Sequence, residues 1–150
     1  MNLEWLDLSF NLITHIEGLD SLTKLTDLSL YSNKITEIGG LERLTELNVF
    51  SFGKNLVKNH QEALLYLKRQ KNRLEVLKMA ENPFVKVGGQ NPEDYKLLAI
   101  EWLKGLKYLD YELITEDDRN NAKTKFSEGE NLEKGDKDGV DETDIFKQVD

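Results

Sequence analysis

The sequence predicts an α/β solenoid, with a short parallel sheet on the concave face, helices and turns on the convex face, and a helical C-terminal cap. Three observations predict it. The segment Leu3-Glu4-Trp5-Leu6-Asp7-Leu8-Ser9-Phe10-Asn11-Leu12-Ile13 returns 22 positions later as Leu25-Thr26-Asp27-Leu28-Ser29-Leu30-Tyr31-Ser32-Asn33-Lys34-Ile35. Every copy carries an asparagine at one fixed place. After Asn82-Pro83 the repeat gives way to stretches with helix signals.

Four copies can be aligned. The third places Leu47, Phe50, Phe52, Asn55 and Val57 on the pattern, and the fourth Leu74, Leu77, Met79, Asn82 and Phe84. In each, the LxL core reads as a short strand whose leucines point inward while the intervening residues face the other way. The asparagine leaves the strand at a turn. Its amide both donates and accepts, so it can satisfy backbone groups that the turn exposes. Asn11, Asn33, Asn55 and Asn82 are therefore expected to form a buried ladder. A unit of this kind buries its face only against its neighbours, so several must stack.

The step from the third to the fourth copy is longer, and the surplus falls in 61–71, a run of good helix formers. A convex helix is expected there, with Leu64, Leu67 and Leu65 toward the core. Asn91-Pro92-Glu93-Asp94 reads as a helix start, with an N-cap, a proline in the first turn and an acid near the positive helix end. The helix continues with Tyr95, Leu98, Ala99, Trp102 and Leu106 at helical spacing, and Gly105 marks its stop. Residues 106–111 read as a last strand. Thr115-Glu116-Asp117-Asp118 reads as the cap and first turn of a final helix to about Phe126. The expected division is 1–114 for repeats and cap, 115–126 for a trailing cap helix, and 127–150 for an acidic tail. The tail is expected to be disordered alone, with Ile145, Phe146 and Val149 as its few apolar handles. At the other end the chain opens inside a repeat. Leu6 and Leu8 are expected on an open edge, which earlier repeats, or else a partner, would cover.

Composition narrows the chemistry. The chain has no cysteine, only two histidines and a net charge of -8, with most of the acidic excess in 115–150. Disulfides, thiolate metal sites and cysteine nucleophiles are excluded. The acidic balance argues against direct nucleic-acid binding, because phosphate contacts need cations. No apolar run approaches the roughly 20 residues of a membrane span, and no signal peptide is seen, so an intracellular soluble protein is expected. His15 and His60 fall in different repeats with no shared carboxylate, and no phosphate-cradling glycine loop is present. Lys134–Gly139 has the look of a calcium loop, but Lys134 and Ile145 would stand where ligating oxygens are required. No catalytic residue, metal, cofactor or small-molecule substrate is expected.

The pattern LxxLxLxxNxI resembles the leucine-rich repeat. With IxxIxGLxxL completing each unit, it is similar to the intracellular 22-residue class, which includes phosphatase regulators, a spliceosomal A-prime protein, tubulin cofactors and axonemal proteins. The ending DYKLLAIEWLKGLKYLDY resembles that class's C-terminal cap, except that Lys104 stands where proline is usual. Within the class, WLDLSFNLITHIEGLDSLTKLTDLSLYSNKI, ENPF, EDYK and LKYLDYELI resemble the leucine-rich-repeat subunit of the nexin–dynein regulatory complex. That resemblance covers about 3–126. It implies an axonemal scaffold in the cytoskeleton of cilia and flagella, whose partners are other proteins of that complex. The alternative is an adaptor of a phosphatase or a ribonucleoprotein, which would hold a folded protein domain rather than RNA.

The surface expected to carry function is the concave one. The third position of LxxLxL reads Trp5, Asp27, Val49, Val76 and, in the cap, Tyr108. The fifth reads Asp7, Ser29, Ser51, Lys78 and Asp110. A rigid sheet showing Trp, Val and Tyr has the composition of a protein-binding surface, and the two serines leave room for a partner's side chains.

Overall fold

The computed structural model describes residues 2–86 and 94–133. One six-stranded sheet runs in sequence order. The strands are β1 (Trp5–Asp7), β2 (Asp27–Ser29), β3 (Val49–Ser51), β4 (Val76–Lys78), β5 (Tyr108–Leu109) and β6 (Glu112–Leu113). The first five are parallel and β6 returns antiparallel. The register follows the repeat: Leu6, Leu28, Phe50, Leu77 and Leu109 face one another down one row. From Leu28 onward these side chains are buried beside Leu30, Phe52 and Met79, forming the spine of a single core.

The asparagine rungs explain why the units stack in this register. Asn33 Nδ2 donates to Leu30 O in its own turn at 3.0 Å and to Leu8 O in the preceding unit at 3.1 Å, while its Oδ1 accepts Ile13 N–H at 3.1 Å. Asn55 repeats this on Phe52 O, Leu30 O and Ile35 N–H. Asn82 repeats it on Met79 O, Phe52 O and Val57 N–H. All three are buried. Asn11 departs from the expected buried ladder. It is exposed, and Nδ2 stays in its own turn, on Leu8 O and Ser9 O, because the described residues place no unit on that side of β1. β1 is accordingly an edge strand, with Leu6 and Leu8 half-buried.

Each rung is preceded by a residue in the left-handed region: Phe10, Ser32, Lys54 and Glu81, with φ between 51° and 65°. None is glycine. The rung's bonds to neighbouring backbone hold a conformation that L-residues ordinarily avoid. On the other side of the repeat the close approach falls at Gly40. Its φ is +70°, and a Cβ there would lie 2.2 Å from Ile16 O. Gly18, its counterpart one unit earlier, has φ +79° but open space around it.

The longer third unit forms α1 (His60–Arg69), capped by Asn59, whose side chain accepts Glu62 N–H at 3.1 Å. Leu64, Leu65 and Leu67 are buried as the spacing requires. Tyr66 reaches back to the second unit and accepts Leu41 N–H at 2.9 Å. Burial, reinforced by the Glu42 carboxylate beside it, pushes the Tyr66 hydroxyl up from the ordinary 10.0 to about 12.

Past a 3-10 turn at Pro83–Lys86 the cap begins. The expected helix start at Asn91–Glu93 lies outside the described residues, and α2 is described from Asp94 to Trp102. A turn at Lys104-Gly105 feeds β5, so lysine in place of proline still allows the last strand to form. The expected single strand over 106–111 is instead a hairpin. Asp110 and Tyr111 both have positive φ, the condition for a two-residue type I′ loop, and β6 pairs back on β5. β6, only two residues long, becomes the C-terminal edge, and so short a strand offers little for further pairing. α3 (Glu116–Glu133) starts on a reciprocal cap, Thr115 Oγ1 accepting Asp118 N–H and Asp118 Oδ2 accepting Thr115 N–H. It packs along α2 through Ala122 and Phe126, and Arg119 donates to Leu106 O. It runs to Glu133 rather than ending at Phe126, so the boundary at 126 between helix and tail moves. Residues 134–150, including the calcium-like segment and Ile145, Phe146 and Val149, lie outside the described residues. Among the described residues no helix is long and apolar enough to cross a membrane.

Three outcomes are expected. In urea denaturation, Asn33→Ala loses about 1–3 kcal/mol, whereas Asn11→Ala, which breaks no contact between units, loses at most a few tenths. Gly40→Ala loses on the order of 2 kcal/mol, since clash adds to backbone strain, and Gly18→Ala loses less. An acid held above its ordinary pKa keeps its proton more tightly when folded. The contribution of Tyr66 is thus complete below pH 10.0 and fades as pH rises toward about 12. Tyr66→Phe should flatten the loss of stability across that window.

Candidate functional site

Strand alternation sends Leu6, Leu28 and their row into the core, so the residues on either side of them face outward. The register puts the expected columns side by side: Trp5, Asp27, Val49, Val76 and Tyr108 in one, and Asp7, Ser29, Ser51 and Lys78 in the next. Trp5 is 64% exposed and Tyr108 44%, while Val49 and Val76 are half-buried between them. A depression of about 320 Å3 lies in this open face, lined in part by Trp5, Asp27, Ser29, Val49, Ser51 and Lys78. Asp7, Val76 and Tyr108 stand outside it.

Asp110 does not belong to the outward column. Its Oδ1 accepts Met79 N–H at 2.7 Å and Ala80 N–H at 3.1 Å, and its Oδ2 accepts the Tyr95 hydroxyl at 2.6 Å. The hairpin turn rotates this carboxylate onto the end of the fourth unit, where it accepts N–H groups that further up the array, at Leu30 and Phe52, are taken by the backbone carbonyls of the next unit. It is a structural stitch between the cap and the fourth unit.

Three lining residues escape a reading confined to LxxLxL: Ser9, Tyr31 and Tyr111. The first two form a third outward column with Gly53 and Ala80, joined by Phe10 N–H to Tyr31 O, Ser32 N–H to Gly53 O and Lys54 N–H to Ala80 O. Alternation simply continues two residues past the strand. Tyr31 is the one large side chain in that column. It packs over Gly53, where a Cβ would sit 3.2 Å from its ring, and Phe10 meets it edge-on at 5.6 Å. Tyr111 arrives through the hairpin, which places its ring 4.6 Å from Lys78 Nζ, a cation–π contact.

The face is electrostatically divided. The side chain and N–H of Ser9 donate to Asp7 and hold its carboxyl below the usual carboxylate range. Ser9 also shares a 2.7 Å hydrogen bond with Ser29. Asp27 accepts from Thr26 Oγ1 at 2.9 Å. The β1–β2 end is therefore acidic, and the β4 end carries Lys78.

His60 opens α1 with its ring against Phe84, and burial lowers its pKa while Asp94 opposes the shift. His15 is exposed and shares a hydrogen bond with Thr14 at 3.0 Å. The two sit in different units, as expected from sequence. Among the described residues no group of three His, Cys, Asp or Glu is placed to hold a metal ion.

Ladder, register and cap together define a leucine-rich-repeat fold. A family model described as leucine-rich repeats, in two copies, matches residues 2–43. No curated protein matches the chain. Among solved structures, a chain of the Drosophila melanogaster SNF/U2A′ complex is similar over 87% of this chain and 87% of its own length, at 24% identity and a TM-score of 0.65. A chain of the Chaetomium Mex67:Mtr2 subunits is similar over 66% of this chain and 62% of its own, at 21% identity and a TM-score of 0.51. At these identities the likeness establishes the fold: the chain is a leucine-rich-repeat protein by architecture.

Proposed function

We propose that this chain is a non-catalytic scaffold that holds a protein partner on the open face of its sheet. The observation that carries this reading is the register, which aligns Trp5, Val49, Val76 and Tyr108 across the sheet beside a depression floored by Ser29 and Ser51. Exposed aromatics on a rigid backbone are the usual anchors of a protein interface. The partner should bring a cation toward Asp7 and Asp27 and a carboxylate or carbonyl toward Lys78.

Two settings follow. The structural neighbours support an adaptor of the ribonucleoprotein kind, which grips a folded protein domain and leaves RNA to its partner. Both belong to assemblies, SNF with U2A′ and Mex67 with Mtr2. A phosphatase regulator would use the same face. The second setting is the ciliary axoneme, as a subunit of the nexin–dynein regulatory complex. Its support is the sequence resemblance across about 3–126, and the structural neighbours add nothing to it.

Trp5→Ala combined with Tyr108→Ala should preserve the circular dichroism spectrum and melting temperature, because neither side chain belongs to the core. The same double variant should abolish partner capture in a pull-down. Undiminished capture would remove the open face as the binding site. Proximity labelling in ciliated cells separates the settings: axonemal neighbours favour the second, ribonucleoprotein components the first.

A further inference from the structure

A net charge of -8 conceals a concentration of cations. The last turn of α1 and the loop after it read Lys68-Arg69-Gln70-Lys71-Asn72-Arg73, and the turn after α2 adds Lys104 and Lys107. Folding brings them together. Lys68, Arg73, Lys104 and Lys107 line a groove of about 510 Å3, together with buried Leu74 and half-buried Trp102. This groove shares no residue with the depression in the sheet. Basic residues in a helix's last turn complement its dipole, and that accounts for Lys68 and Arg69. It does not account for Arg73, Lys104 and Lys107, which lie beyond the helix ends, with side chains 63–77% exposed.

We propose that this groove is a second docking site, and that it takes an acidic peptide segment of a partner protein bearing one bulky apolar side chain. Three of its cations face carboxylates already: Arg73 with Glu46 at 3.7 Å, Lys104 with Glu101 at 2.6 Å and Lys107 with Glu75 at 2.8 Å. Exposed pairs of this kind contribute little, so a partner carboxylate can replace any of the three glutamates at small cost. The interleaved acids set the ligand's class. An evenly charged phosphate backbone would meet Glu75 in the lining as well as the cations, whereas a peptide can leave that position uncharged. Sequence-tolerant nucleic-acid binding also relies on successive aromatic faces, and the lining of this groove holds one. A peptide can place carboxylates at the cations and an apolar side chain on Leu74 and Trp102, the pairing of charged rim and apolar floor found in protein interfaces.

The test is fluorescence anisotropy on the full chain with a labelled short peptide of glutamates around a central phenylalanine. Saturable binding that weakens with added salt is expected. Arg73→Gln with Lys104→Gln should weaken it about tenfold while leaving the fold intact by circular dichroism. Replacing the peptide's phenylalanine by serine should also weaken it. Trp5→Ala with Tyr108→Ala should leave it unchanged, so failure here and failure of the open-face reading are separately visible. Absence of binding at low salt, or undiminished binding to the double glutamine variant, would overturn the proposal. So would tighter binding of a single-stranded RNA oligonucleotide in the same groove. So would peptide binding that appears only once Asp141, Glu142 and Asp144 are neutralised, because the occupant would then be the chain's own C-terminal segment.

Discussion

The structure depends on one interaction made three times: a buried asparagine amide that closes its own turn and grips the backbone of the unit before it. Asn33, Asn55 and Asn82 each donate to carbonyls of their own turn and of the unit before, and accept one N–H from that unit. No buried side-chain polar atom among the described residues lacks a partner. The hydrophobic core supplies most of the favourable free energy but little direction, since leucines could slide against leucines. The rungs forbid the slide. They also hold the preceding residue in the left-handed region, which lets the chain leave the strand and turn toward the convex side without glycine.

A fixed register has a functional consequence. Once the units cannot slip, the third- and fifth-position side chains of the four repeats are delivered to known places on the open face. A partner then meets a surface whose ordering entropy was lost during folding rather than on binding. The long third unit shows how well the constraint is insulated. Its extra residues are absorbed by α1 on the convex side, and β3 still pairs with β4 at Val49 and Val76. At the C-terminal end the array closes by different means. Asp110 stands in for the carbonyls of a further strand, the two-residue β6 forms the edge, and α2 and α3 cover the last leucines.

Much of this was legible in the sequence because a repeat of constant period encodes its own register. The strand columns, the burial of Leu64, Leu65 and Leu67, and the capping role of Thr115 followed from spacing and local chemistry. Features that break the period were not legible. Asp110 falls on the outward column by counting, yet the paired positive φ values at Asp110 and Tyr111 turn its carboxylate inward. Asn11 matches the ladder in sequence, but its Nδ2 contacts stay within its own turn. Tyr31 lies outside the LxxLxL pattern, which ends with the strand, although alternation persists beyond it. The basic groove joins residues 68–73 to 102–107, two stretches brought together only by the packing of the cap, and the net charge hides it.

The open face, not the convex turns, should receive the partner. Site-specific photo-crosslinking in cells tests it most directly, with a benzophenone side chain at Val49 on the sheet or at Thr45 in the exposed turn before it. One discrete covalent adduct is expected from Val49 and none from Thr45. An adduct formed from Thr45 but not from Val49 would contradict it.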